Sequence, residues 1–131
     1  MIADVTVNDL IQVPLTDQER NVLRWGLIEW GGPGQCTEEF AIAMGFGSLD
    51  GLFAETDRLV RSLDEHEALS AVDWVRILLS TEVVFASDVV GSGTDWVETV
   101  GVTDVETIAI LRAVQRKIPI SGVVGIAFGT R

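Results

Sequence analysis

Cysteine, histidine and lysine are each nearly missing from this chain of 131 residues, which has only Cys36, His66 and Lys117. A lone cysteine rules out an intramolecular disulfide and any cysteine-built zinc site. A lone histidine excludes the paired-histidine metal motifs, and His66-Glu67 has no second histidine beside it. No ligand set for a metal and no cofactor motif is legible, so neither is expected. Because Lys117 is the only lysine, the remaining basic residues are arginines, a bias that fits GC-rich coding better than chemistry. Positive charge is scarce altogether: 9 basic against 20 acidic residues give a net charge of −11. That excludes the basic footprint needed for nucleic acid or an anionic membrane surface. It suits a basic protein partner, although acidity also serves solubility by itself. No apolar run approaches the ~20 residues of a membrane span. Met1 to Asp9 lack the basic start and apolar stretch of a signal peptide, so a bacterial cytoplasmic protein is expected.

What the chain does have is apolar content of 47%, spread along its length without repeats, low-complexity tracts or a linker. A single domain over residues 1–131 follows, large enough to bury roughly two thirds of its unfolded surface. Helix starts are marked repeatedly. Thr16 with Glu19 opens a helix to about Trp30, which Gly31-Gly32-Pro33-Gly34 ends. Thr37 caps a short helix with Phe40, Ala43 and Met44 on its apolar edge. Ser48 opens a third, with Leu49, Leu52, Phe53, Leu59, Val60 and Leu63 inward. Thr103 with Glu106 opens the last, which places Ile108, Leu111, Val114 and Ile118 inward and ends at Pro119.

The stretch from Ser70 to Ser87 organises the rest. Ser70 and Asp73 suggest a capping box, and the polar groups gather into one stripe of Asp73, Arg76, Ser80 and Ser87. Nearly everything else there is apolar, which predicts a helix surrounded by others. The expected fold is therefore all-α: a compact bundle of about five helices around a central buried helix at about 70–87. Short extended segments lie at both ends. Residues 88–101 are too apolar for a solvated linker and too glycine-rich for a helix. The apolar tail from Ile118 to Phe128 is expected to dock, either along the lead-in around Val5 and Val7 or across a two-fold axis, making a homodimer.

The strongest chemical signal is Glu82, which falls in the apolar arc of the central helix. An isolated buried charge is costly, so burial with a polar partner is predicted. A desolvated carboxylate can also act as a general acid or base. Glu29, at a helix end beside the glycine run, is the second candidate catalytic acid; if the two converge, a two-carboxylate site arises. Trp25, Trp30, Trp74 and Trp96 are candidate binding residues if they line a cavity, and core anchors if they do not. Arg112 and Arg116, one helical turn apart, can grip an acidic group or pair with carboxylates of the chain itself. Cys36 precedes a helix N-terminus, which lowers a thiol's pKa. Asp88, Asp95 and Glu98 around Gly91 and Gly93 fit no EF-hand spacing, and Asp95 is kept as a residue of a binding loop.

Three functional classes follow in order. The first is a non-enzymatic acidic interaction protein, of the kind that neutralises a basic partner as immunity proteins do. The second is a helical domain binding a small ligand among the tryptophans, and the third an enzyme using Glu82.

Overall fold

The computed structural model describes residues 9–118. Over that span the chain is all-helical apart from one small strand pairing. The order is β1 (Leu10–Ile11), α1 (Asp17–Ile28), α2 (Glu38–Ala43), α3 (Leu49–Asp64), β2 (Leu69–Ser70), α4 (Ala71–Ala86), α5 (Trp96–Val100) and α6 (Asp104–Lys117). Short 3-10 turns at Glu29–Gly31 and Gly93–Asp95 follow α1 and precede α5. The bundle thus has six α-helices among the described residues. The sixth arises inside 88–101, where glycine suggested no helix: its glycines sit at the ends, and Gly101 takes the left-handed conformation that closes α5.

Side chains supply the acceptors that helix starts lack. Thr16 and Thr103 form reciprocal capping boxes with Glu19 and Glu106, while Thr37 and Ser48 accept from the amides of Phe40 and Gly51. The box expected at Ser70 forms only in part. Its hydroxyl accepts the Asp73 amide at 3.2 Å, but the Asp73 carboxylate turns to two arginines instead. Arg58 donates to both its oxygens, at 3.0 and 3.1 Å, and Arg76 donates at 3.1 Å. Charge-assisted bonds of that kind are roughly twice as strong as a bond between neutral groups. The polar stripe of α4 is therefore covered rather than solvated, with Asp73 and Ser80 both buried.

α4 carries more buried residues than any other helix. It shares the centre with α1, which packs against α3, α4 and α6. Gly26 marks the crossing of α1 and α4, since a Cβ there would stand 2.0 Å from Thr81 Oγ1. Buried residues of every helix merge into one core, among them Leu23, Ala41, Leu59, Ile77, Trp96 and Val114. Phe53 and Ile108, expected inside, are instead 47% and 50% exposed, and Phe40 is exposed as well. In each case a neighbour takes the inward place: Leu52 in α3, Ala41 in α2, and Thr107 with Leu111 in α6.

β1 pairs antiparallel with β2, Leu10 opposite Ser70 and Ile11 opposite Leu69. The described part of the lead-in thus pairs with the residues that start α4. Val5, Val7 and the tail beyond Ile118, with the docking and the homodimer expected of them, lie outside the described residues. No helix of the described residues is long and apolar enough to cross a membrane.

Candidate functional site: an open groove between α4 and α6

Three of the four tryptophans are structural pins. Trp30 donates its indole N–H to the Ser80 carbonyl at 3.2 Å, Trp74 to that of Ile11 at 2.9 Å, and Trp96 to Thr107 Oγ1 at 3.0 Å. All three are buried, and Trp25 packs half-buried against the same core. A buried indole that finds an acceptor anchors a core, and these three tie α4, β1 and α6 into it. They do not gather around a shared ligand cavity.

The two candidate acids go separate ways. Glu29 is buried and accepts from the Ser92 hydroxyl at 2.7 Å, while its carbonyl accepts the amides of Gly32 and Gly34. It pins the loop after α4 to the end of α1. Glu82 is half-buried, less enclosed than its place on the apolar arc implied, and it has a polar partner: Gln115 Nε2 donates to Glu82 Oε2 at 2.7 Å. Arg112 Nη1 in turn donates to Gln115 Oε1 at 2.8 Å. Arg112 therefore orients an amide instead of pairing with a carboxylate, and Arg116 sits exposed one turn on. No bonding partner is common to Glu29 and Glu82.

Cys36 also departs from expectation. Burial raises its thiol pKa, which disfavours the thiolate despite the nearby helix start. The Asp88 carboxylate is occupied by its own loop, accepting from the Thr94 amide and hydroxyl at 2.9 and 3.0 Å. Those bonds hold its pKa below the ordinary value. Asp95 is exposed, and its carbonyl accepts from the Thr99 hydroxyl.

Glu82, Arg112 and Gln115 form one end of a groove. With Phe85, Ala86, Ile108 and Leu111 they line a cleft of about 270 Å³. Phe85 and Ala86 also wall an adjoining cleft of about 340 Å³, completed by Asp88, Gly93, Thr94 and Asp104. The shared walls make these two clefts one open groove. Its floor is braced from beneath, because the Phe85 ring packs edge-on against Trp96, with ring centroids 5.5 Å apart. Trp96 is fixed through Thr107, whose hydroxyl also donates to the Thr103 carbonyl at 2.8 Å.

α6 carries apolar residues on two faces, and Ile108 belongs to the outer one. Thr107, Ile110, Leu111 and Val114 occupy the inner one. Val105, 79% exposed, and Ile108 begin an outer one that continues to Arg112. Packing against α1 fixes which face of α6 turns to the core.

Three carboxylates, Glu82, Asp88 and Asp104, line the groove, and Arg112 is the cation in its lining. Residues 77–111 contain six acidic residues, Glu82, Asp88, Asp95, Glu98, Asp104 and Glu106, and no basic one. Every ion pair among the described residues lies elsewhere, so none of these six has a cation of its own there. The groove thus sets the half-exposed Ile108 and the partly buried Phe85 beside the carboxylates of Glu82, Asp88 and Asp104. Comparison with known proteins adds no analogue: no family model, curated protein or solved structure matches this chain.

Proposed function

We propose that this protein is a non-enzymatic interaction module that holds a basic, partly apolar segment of a partner protein in the groove between α4 and α6. The observation that carries this reading is the half-exposed Ile108 beside the partly buried Phe85, in a groove whose carboxylates, Glu82, Asp88 and Asp104, belong to none of the described ion pairs. An amphipathic segment laying its apolar side into such a groove is a recurrent mode of peptide recognition. Complementary charge raises its rate of encounter and sets its partner preference. Neutralising a basic protein, as immunity-type antidotes do, belongs to this class. The small-ligand and enzymatic alternatives draw less support. The groove is open, the buried tryptophans are engaged in the core, and Glu29 and Glu82 are held by different partners.

Isothermal titration of the full chain with a synthetic amphipathic helix of lysine and leucine tests the reading. Binding that weakens as salt is added is the expected result, together with a loss of about ten-fold or more in Ile108→Asp, since one to three kcal/mol of apolar contact is at stake. That substitution adds an acid, so a loss reports the apolar floor and not charge. Absent binding, or binding indifferent to Ile108→Asp, overturns the proposal.

A further inference from the structure

The groove's two ends differ in what their carboxylates are doing. Asp88 accepts two bonds from Thr94 of its own loop. Glu82 accepts a single bond, from Gln115 to Oε2, so Oε1 has no partner among the described residues. The donor to Oε2 is a neutral amide, and none of the described ion pairs includes Glu82. Moreover, the amide is locked. Gln115 Oε1 is engaged by Arg112, which leaves its NH2 group facing Glu82 and sets the carboxylate's orientation. A half-buried carboxylate gains most from a cation that arrives with its own apolar covering.

We infer that the cleft bounded by Glu82, Phe85, Ile108, Leu111 and Gln115 is a receptor for one lysine side chain of the partner. The four-carbon stem lies on Phe85, Ile108 and Leu111, and the ammonium meets Glu82 Oε1. This inference rests on the groove reading and specifies the residue that the groove selects. Lysine is preferred to arginine on the number of free oxygens. A guanidinium fork is matched to both oxygens of a carboxylate, whereas an ammonium is a compact point charge suited to one. The Arg112 charge beyond Gln115 opposes any cation, and it opposes both equally, so it does not alter that preference. Asp88, with its bonds already made within the loop, shapes the other cleft and is not the anchor.

The test uses n-butylammonium, n-butylguanidinium and n-butanol as probes of the full chain, at constant ionic strength, followed by NMR. Butylammonium is expected to shift the Ile108 and Leu111 methyls and the Gln115 side-chain amide, and to bind about ten-fold more tightly than butanol, as one charge-assisted bond allows. Butylguanidinium is expected to bind more weakly than butylammonium. In Glu82→Gln, which keeps the shape and a hydrogen-bonding group toward Gln115, the advantage of the cation over the alcohol should vanish while butanol binding persists. Equal binding of cation and alcohol to the wild-type chain overturns the inference. So does an advantage that survives Glu82→Gln, or the absence of shifts at these residues. Guanidinium binding as tight as ammonium overturns the preference for lysine. The lysine–leucine helix separates this failure from failure of the groove. If the helix binds wild type and Glu82→Gln equally, yet is lost in Ile108→Asp, the groove stands without its lysine receptor.

Discussion

At the scale of single residues, the least conspicuous side chain in the sequence joins the two ends of the described structure. Lys117, the only lysine, donates to Glu19 Oε1 at 2.7 Å and to the Pro14 carbonyl at 2.9 Å. Glu19 is buried and caps α1 through the Thr16 amide, so one carboxylate serves a helix start and a closure between distant segments. Burial pushes the Glu19 pKa up, but the Lys117 ammonium and the Thr16 bonds outweigh it and leave the carboxyl below its ordinary value of 4.5. A carboxyl depressed on folding contributes stability above its unfolded pKa and loses it as pH falls through the folded one. Glu19→Gln should therefore cost about 1.5–3 kcal/mol at neutral pH, the range for a bond to a charged group. The gap between variant and wild type should narrow as pH falls below about 4.5, the value from which Glu19 is depressed. Urea melts of both proteins across that range read it directly, and a gap independent of pH would show that the closure is not electrostatic. No periodicity or motif could have announced this pair, because it links residues 98 apart.

At the scale of elements, legibility followed locality. Thr16, Thr37, Ser48, Ser70 and Thr103 are each followed by the amide they cap within one turn, so α1, α2, α3, α4 and α6 were readable. α5 begins without a side-chain cap and was not. Which apolar face lies inside was less legible than the helices themselves. Phe53 and Ile108 have the spacing of core residues and lie outside because a neighbouring face wins the contact. Glu82 was legible as an acid needing a partner, but the partner, Gln115, lies 33 residues away on another helix. Gly26 shows the same principle in packing. The meaning of this glycine appears only where α4 crosses α1. A Cβ at 26 would meet Thr81 Oγ1 at 2.0 Å and the Thr81 Cα at 2.7 Å, so the obstacle includes backbone. Glycine costs a helix roughly 1 kcal/mol relative to alanine, yet here alanine should be the worse residue. Gly26→Ala is expected to destabilise by about 1–3 kcal/mol or more, as overpacking does. In a Thr81→Ala background the penalty should shrink by about 1 kcal/mol, because neighbours in contact are coupled. Denaturant melts of the four proteins in that cycle measure both quantities; a neutral Gly26→Ala would mean that the crossing is looser than these distances require.

For the whole molecule, the balance of charge sets a contest between two effects of salt. Added salt screens the attraction in the described ion pairs and, at the same time, the mutual repulsion of a chain carrying a net −11. The pairs lose little: Arg24 with Asp64 and Arg20 with Asp17 are exposed on at least one side, and such pairs contribute about 0–1 kcal/mol each. Arg58 with Asp73 and Lys117 with Glu19 are enclosed on the acidic side, where screening by salt is weak. The repulsion is concentrated, because the six acids of residues 77–111 have no basic residue among them and three of them, Glu82, Asp88 and Asp104, line one groove. Screening should therefore relieve more repulsion than it removes attraction. Raising sodium chloride from low to physiological concentration and beyond is expected to increase Tm by a few degrees, equivalent to about 1 kcal/mol for a chain of this size. The increase should be smaller in Asp104→Asn, which removes an acid from the groove wall without breaking an ion pair. A Tm that falls with salt would place the balance in the ion pairs. It would also weaken the case for an acidic groove that awaits a basic partner, since the same unrelieved repulsion is what that partner would remove.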